Sequence, residues 1–359
     1  MFAVILRRGL LLYGLVAMAA GLLNGQDLNG QEMPKPEQTP IHTLHVYTNL
    51  IQVPTLVLSP FRKPIAPIAA NRFMVSVDSG PKFRATHVRQ EGEDPISLAI
   101  FLDARGPMDE ALRKINDAIA GLVPLSLRAR DHVSLYALDC SLVRALNDAP
   151  VSQEILKRGV DSVLYEWTAR REKHGTDCKQ AVQLRAAMAF AVGELSKVPG
   201  RRVVLALTNG DDQESKDSNE TWSGVKVMAQ SAGVAIFGVE YVPYQSAFRA
   251  SRENEFNAVC ELSGGMLVVT DKSDVGPTLK DILRDIRERY IVEFPRASNS
   301  TVGYHNLLIT IEKSNAFIRP SGVSLPVADP AVLADPTTVP SDPSLAPVQG
   351  PRRVLTNPN

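Results

Sequence analysis

An acid at the end of a long apolar segment is the feature that most constrains this fold. Residues 96–102 read ISLAIFL, and Asp103 follows directly. An apolar run of this length, bounded by turn residues, is typical of a strand buried on both faces of a parallel sheet. In open α/β sheets, ligands bind at the carboxyl ends of the strands, so Asp103 is a candidate site residue.

Strand-like and helix-like segments alternate from Pro95 to about Glu288. After the first strand, Leu112, Ile115 and Ile119 recur at helical spacing. Further strands are predicted in HVSLYALDC, LVRAL, VVLALT, VAIFGVEY and MLVVT, and further helices over residues 181–195, 222–232, 253–262 and 279–288. This order predicts an α/β fold, namely a doubly wound, mostly parallel open sheet flanked by small β segments.

The ends of the chain differ from this core in composition. Arg7 and Arg8 precede an apolar run, which predicts a secretory signal peptide, with an uncleaved anchor as the alternative. We therefore expect a secreted or periplasmic protein with no membrane span after signal removal. The predicted boundaries are a signal peptide at 1–25, a linker at 26–43, an N-terminal β module at 44–92, the α/β domain at 93–288, a C-terminal β segment at 289–327 and a disordered tail at 328–359.

Charge and motif content exclude several function classes. Lys+Arg and Asp+Glu balance at 39 each, which argues against a domain-wide electrostatic attraction to nucleic acid or an anionic membrane. The sequence contains no G-x-S-x-G, P-loop or H-E-x-x-H motif, and its six histidines are scattered. We therefore predict neither an enzyme nor a bound organic cofactor.

Taken together, these segments resemble a von Willebrand factor type A (vWA) domain. The turn DARGP corresponds to the family's Asp-x-Ser-x-Ser motif, HGTDC supplies Thr176, and LTNGDD places Asn209 at the family's last metal-site Asp. NRFMVSVDSGPKF, a predicted hairpin, and RYIVEFPR resemble β segments of the secreted vWA-related proteins common in Acidobacteria. The resemblance covers about residues 44–327.

The resemblance implies a metal-ion-dependent adhesion site, but the residues of this chain make it degenerate. Its Mg²⁺ ligands would be Asp103, Thr176 and Asn209. Arg105 and Pro107 stand where the family has two serines, and Arg105 brings a permanent positive charge close to the metal position. We expect Arg105 to pair with Asp103 and to replace the cation, with Mg²⁺ binding as the alternative.

A vWA-like domain implies a protein-interaction module that binds through the loops at the carboxyl ends of its strands. The predicted partner-binding residues are Arg105, His174, Asp211 and Asp212, which favour a polar, charge-complementary protein partner. Asp211 and Asp212 have two alternatives, as solvated loop acids or as ligands of a shifted metal site. The alternative function is a structural envelope component with an inert top face, and a hydrolytic enzyme is the third class.

Three cysteines add a prediction about redox state. Cys140, Cys178 and Cys260 are an odd number, so at least one is unpaired. The topology of the family brings the end of the second strand close to the Thr176 loop. The resemblance therefore implies a Cys140–Cys178 disulfide with Cys260 buried and free, while three buried thiols are the alternative.

Overall fold

The structure is a computed structural model. It describes residues 50–92, 94–105, 109–123, 126–175, 182–208, 220–241, 255–271, 274–296, 303–321, 323–325 and 346–350. The predicted signal peptide and linker lie outside these residues. So do four predicted site residues, Thr176, Asn209, Asp211 and Asp212, and Cys178, the predicted disulfide partner of Cys140.

Strands and helices alternate as the sequence predicts. The strands are β1 (Leu50–Leu58), β2 (Phe73–Val77), β3 (Phe83–Arg84), β4 (His87–Gln90), β5 (Ile96–Asp103), β6 (His132–Leu138), β7 (Leu142–Pro150), β8 (Arg201–Thr208), β9 (Val234–Tyr241), β10 (Leu267–Thr270), β11 (Tyr290–Pro295), β12 (Gly303–His305), β13 (Leu307–Ile311), β14 (Phe317–Pro320) and β15 (Val323–Leu325). The helices are α1 (Asp109–Ala120), α2 (Gln153–His174), α3 (Leu184–Leu195), α4 (Trp222–Ala232), α5 (Glu255–Leu262) and α6 (Val275–Arg287).

The central sheet has six strands in the order β10-β9-β8-β5-β6-β7. Its first five strands are parallel, and β7 pairs antiparallel with β6 at one edge. Strands β5, β8 and β9 are buried almost throughout, because helices cover both faces of the sheet. The predicted fold class, a doubly wound and mostly parallel α/β sheet, is confirmed.

Helices α1, α2 and α6 pack on one face, and α3, α4 and α5 pack on the other. Helix α2 was not predicted, although Leu156, Val160, Val163 and Trp167 form a buried stripe at helical spacing. It begins after Ser152, whose Oγ accepts a hydrogen bond from the Ile155 amide at 3.1 Å. None of the helices in the described residues combines the length and the apolar character that crossing a bilayer requires.

The predicted N-terminal β module and C-terminal β segment combine into small antiparallel sheets. One sheet has the order β14-β1-β11-β4 and another the order β13-β2-β3, and they share a core that includes Val53, Phe73, Val292 and Ile309. Strand β14 was not predicted. Side chains on the two faces of β1 pack into two different cores. Leu56 belongs to the α/β core, whereas Val53 belongs to the core between the small sheets.

The predicted hairpin is formed by β2 and β3, with its turn at Asp78 and Ser79. Residues 346–350, which we expected in a disordered tail, lie against this turn. The Gly350 amide donates to the Val77 carbonyl oxygen at 3.1 Å, and the backbone there approaches Gly80 so closely that a Cβ atom on either glycine would clash. The absence of a side chain at Gly350 therefore allows a contact that composition does not reveal.

Candidate functional site at the carboxyl edge of the central sheet

Asp103 ends strand β5 and is buried at the carboxyl edge of the central sheet. Only 1% of the residue is exposed. Thr208, at the end of the neighbouring strand β8, donates from Oγ1 to Asp103 Oδ2 at 2.8 Å. A buried carboxylate is costly unless it is paired and hydrogen-bonded, so the partners of Asp103 determine what this edge of the sheet can bind.

Arg105 supplies the charge that balances Asp103. Its Nε donates to Oδ1 at 2.8 Å and its Nη2 donates to Oδ2 at 2.9 Å, so the guanidinium contacts the carboxylate through two bonds. The backbone amide of Arg105 adds a longer bond to Oδ1 at 3.3 Å. The Arg105 side chain remains 18% exposed. The expected ion pair between Arg105 and Asp103 is therefore formed, and it holds a guanidinium group at the carboxyl edge of the sheet.

Two aromatic side chains hold the backbone of the turn between Asp103 and Arg105. The Tyr241 hydroxyl donates to the Asp103 carbonyl oxygen at 2.6 Å, and Trp167 Nε1 donates to the Ala104 carbonyl oxygen at 3.0 Å. Burial raises the pKa of Tyr241 well above its ordinary value, so its hydroxyl stays protonated and remains a donor. The turn that carries Arg105 is consequently fixed by the core rather than by the surface.

A row of polar side chains crosses three strands at this edge. Leu102 pairs with Leu207, and Thr208 pairs with Glu240, so Asp103, Thr208 and Glu240 lie side by side. Adjacent strands are about 4.8 Å apart. Because side chains alternate along a strand, all three residues belong to the face that α3, α4 and α5 cover.

In this row, Glu240 has a buried carboxylate oxygen without a hydrogen-bond donor among the described residues. This oxygen is Oε2, and the residue as a whole is 3% exposed. Burial raises the pKa of Glu240 from 4.5 to about 7. Near neutral pH the Glu240 side chain can therefore hold or release a proton. In the same row, the carboxylate oxygens of Asp103 accept hydrogen bonds from Arg105 and Thr208.

A second ion pair lies beside the first, where β6 ends. Asp139 pairs with Arg170 of α2, and the two residues line a small cavity of about 200 Å³ next to Ala104 and Trp167. Burial raises the pKa of Asp139, although its bond to Arg170 works in the opposite direction. Cys140, which lines the same cavity, is disulfide-bonded.

The predicted site residues are only partly brought together. Asp103 and Arg105 form the pair described above, whereas Thr176, Asn209, Asp211 and Asp212 lie outside the described residues. His174 is the last residue of α2, but its side chain is also outside the described part of the chain. The predictions for these five residues therefore stay predictions.

The described residues do not fit a Mg²⁺ site at Asp103. Both of its carboxylate oxygens already accept hydrogen bonds from Arg105, and a guanidinium at that distance would repel a cation. Among the residues that the structure describes, no group of three or more His, Cys, Asp or Glu side chains could hold a metal ion.

Sequence reasoning missed several residues of this site. For Glu240 the signal is visible, because it is the one acid in the apolar strand VAIFGVEY. For Thr208 no local signal exists, since its partner Asp103 lies 105 positions away and only the strand order brings the two together. The Asp139–Arg170 pair was missed for a different reason, namely that α2 itself was not predicted.

Comparison with known proteins gives similarity at the level of structure alone. No protein-family model and no curated protein matches the sequence. An aerotolerance-related membrane protein from Bacteroides fragilis NCTC 9343 aligns at 17% identity and a TM-score of 0.34, over 53% of this chain and 98% of that chain. The conserved hypothetical protein BatB from Bacteroides thetaiotaomicron aligns at 15% identity and a TM-score of 0.35, over 53% and 98%.

A third similar structure is proximal thread matrix protein 1 from the mussel byssus. It aligns at 10% identity and a TM-score of 0.38, over 55% of this chain and 49% of that chain. Another structure of the mussel protein has a zinc-occupied MIDAS motif. Scores this low carry no conclusion about function, and the fold assignment depends on the strand order and helix placement described above.

Proposed function

We propose that this chain is a secreted, non-catalytic interaction module. It binds a protein partner through the loops at the carboxyl edge of its central sheet. The observation that carries the proposal is the two-bond pair between Arg105 and Asp103, which holds a partly exposed guanidinium rigidly at this edge. A vWA-like site with a metal would attract a partner carboxylate, and Arg105 supplies a positive charge in that position without a metal.

Neighbouring cations extend this positive charge into a surface that we call the basic rim, formed by Arg105, Arg170, Arg171 and Lys173. The last three belong to the final turns of α2, and Lys173 is exposed. Arg171 lies over the Trp167 ring at 5.0 Å from its centroid, so the tryptophan that holds the Arg105 turn also supports the rim.

The charges of the basic rim favour an acidic partner. The acids that pair with Arg105 and Arg170, namely Asp103 and Asp139, are largely buried beneath them. Two exposed acids of α2, Glu166 and Glu172, lie close to the rim and offset part of its charge. Exposed cations that surround a desolvated pair speed the encounter with a protein that carries exposed carboxylates, and salt weakens this attraction. His174, Asp211 and Asp212 complete the proposed contact surface.

The test is partner capture with charge-reversal variants on one helix. Immobilised protein is incubated with extracellular and envelope extracts, and captured proteins are identified and then purified for binding kinetics. We expect Lys173→Glu to weaken binding at least tenfold and to reduce its salt dependence. Lys157→Glu is the matched control, because Lys157 is an exposed lysine of the same helix, near its other end, and it should bind within twofold of wild type.

Arg105→Ala tests the central residue directly. The substitution leaves Asp103 buried without its charge partner, which costs about 3–5 kcal/mol for buried pairs in general. Circular dichroism and thermal unfolding must therefore show that the variant is folded before its binding is measured. Loss of binding in both Arg105→Ala and Lys173→Glu supports the proposal, and wild-type binding by both variants contradicts it.

The structural alternative rests on the small antiparallel sheets. Leu308 of β13 is an exposed large apolar residue on that part of the protein. If Leu308→Ser abolishes capture while Lys173→Glu retains it, the small sheets are the docking surface, and the role of an envelope component with an inert carboxyl edge is favoured.

A further inference from the structure

A cleft of about 860 Å³ opens at the amino edge of the central sheet, opposite the basic rim. Its walls come from the first residues of β5 and β8, the end of α4, and strands β1 and β11 of the four-stranded sheet. Volumes of about 300–1,000 Å³ are typical of small-molecule sites. The cleft is therefore large enough for a compact ligand and is unrelated to the surface proposed above.

The cleft is strongly basic. Asp94 is the one acid among its described lining residues. Six arginines line it, namely Arg89, Arg130, Arg201, Arg202, Arg289 and Arg296. The whole chain has no net charge, so this local excess of arginine is a feature of the site and not of the composition.

Two of these arginines share one buried carboxylate. Arg289 Nε donates to Glu91 Oε2 at 3.0 Å, and Arg201 also pairs with Glu91. One carboxylate cannot neutralise two guanidinium groups, so a positive charge remains buried at the back of the cleft. Burial, together with the nearby Arg289, lowers the pKa of Arg201 to about 10, which leaves it charged at neutral pH.

Each of the same two arginines has one donor group without an acceptor among the described residues. Arg289 is only 1% exposed, and its Nη1 and the Nε of Arg201 have no hydrogen-bond partner within the described residues. An unsatisfied buried donor costs about 1–3 kcal/mol, and more when it is charged. A bound anion would reduce this cost, because it supplies negative charge beside the two arginines.

Not every arginine of the cleft is available to a ligand. Arg202 donates to the carbonyl oxygens of Val198 and Ala232, so its donors are already used. Arg89 pairs with Asp94 at 2.8 Å, but its side chain is 48% exposed, so a bound anion can still reach it. Arg130 is exposed and makes no hydrogen bond or ion pair in the described part of the chain. Arg130 at the mouth and Arg289 at the back are therefore separate cationic groups that a single ligand could contact together.

We propose that this cleft binds a small molecule that carries two or more phosphate groups. Guanidinium groups match phosphate oxygens in geometry as well as in charge. Several phosphates are required because the arginines are distributed from the back of the cleft to its mouth. The walls also include the apolar residues Pro95, Ile96 and Ile291. These side chains can pack against an apolar part of the ligand that lies between or beside its phosphate groups.

The probe for this proposal is inorganic triphosphate, with citrate as a comparison anion of similar charge. Titration calorimetry of the full chain measures both affinities at low and at physiological ionic strength. We expect triphosphate to bind at least tenfold more tightly than citrate. Equal affinities for the two anions would overturn the phosphate assignment, and no triphosphate binding at millimolar concentration would overturn the site.

Variants of exposed arginines locate the binding without disturbing the buried network. The double variant Arg89→Gln/Arg130→Gln should weaken triphosphate binding at least tenfold. Arg158→Gln is the matched control, since Arg158 is 72% exposed on α2 and does not line the cleft, and it should bind as wild type does. Equal loss in the control and the double variant would show nonspecific attraction and would overturn the proposal.

Discussion

Replacement of the buried Glu240 by glutamine should make the protein more stable at alkaline pH and leave it nearly unchanged below about pH 4. Glu240 is 3% exposed, and its Oε2 lacks a hydrogen-bond partner in the described residues. Burial raises its pKa to about 7 in the folded protein from the ordinary value of 4.5. Glutamine has nearly the same shape and cannot ionise, so the comparison isolates the cost of the charge.

The sign of the effect follows from proton binding. Between pH 4.5 and 7 the folded state keeps a proton on Glu240 that the unfolded chain has released, so the free energy of unfolding falls as pH rises through this window. A shift of this size corresponds to about 3 kcal/mol in total, at about 1.4 kcal/mol per pKa unit. Wild-type protein has already lost part of this free energy of unfolding at pH 5. The stability advantage of Glu240→Gln over wild type should therefore grow by about 2–3 kcal/mol between pH 5 and pH 8.5.

Urea unfolding monitored by circular dichroism, without reductant, measures this difference at intervals across the pH range. Asp285, whose pKa burial raises to about 6, shifts the stability of both proteins equally and cancels in the comparison. Glu172→Gln is the matched control, because Glu172 is exposed on α2, and its difference from wild type should be small at every pH. A Glu240→Gln difference that stays constant with pH, or that shrinks as pH rises, would refute the reasoning.

Two further predictions concern metal and thiols. Millimolar Mg²⁺ or Mn²⁺ should leave the melting temperature unchanged, because Arg105 already donates to both oxygens of Asp103; a clear rise in melting temperature with either metal would contradict this. Thiol titration of unreduced protein in denaturant should find one thiol per chain, that of Cys260, since Cys140 is disulfide-bonded and Cys260 is free and buried. Three thiols in protein purified from an oxidising compartment would be inconsistent with the disulfide.

The central sheet was predictable because its signals are local. Each buried strand is a continuous apolar run, and each predicted helix has a stripe of apolar residues, so fold class follows from periodicity alone. Helix α2 carries the same kind of stripe, from Leu156 to Trp167, and its omission was an error of interpretation. The Asp103–Arg105 pair was also predictable, because its two members are separated by one residue.

The remaining features depend on contacts that periodicity does not encode. Sequence pattern predicts β1 and β11 as strands, but not that they pair with each other or that the unpredicted β14 completes their sheet. The arginine cleft was also not predictable from local pattern. Its residues Arg89, Arg201 and Arg289 are far apart in the chain and come together only when the four-stranded and six-stranded sheets have formed. Strand order, not local composition, decides these contacts.

The position of β1 also has a consequence for the order in which the chain acquires its structure. The strands that pair with β1 lie near the other end of the sequence. Gln52 of β1 and Glu293 of β11, which are hydrogen-bonded, are separated by 241 positions. During synthesis or export, β1 can pair with β11 only after all strands of the central sheet have been synthesised or exported. Such long-range pairing slows folding, so the α/β core should form first, with Leu56 and the other core-facing side chains of β1 added in a later, separate step.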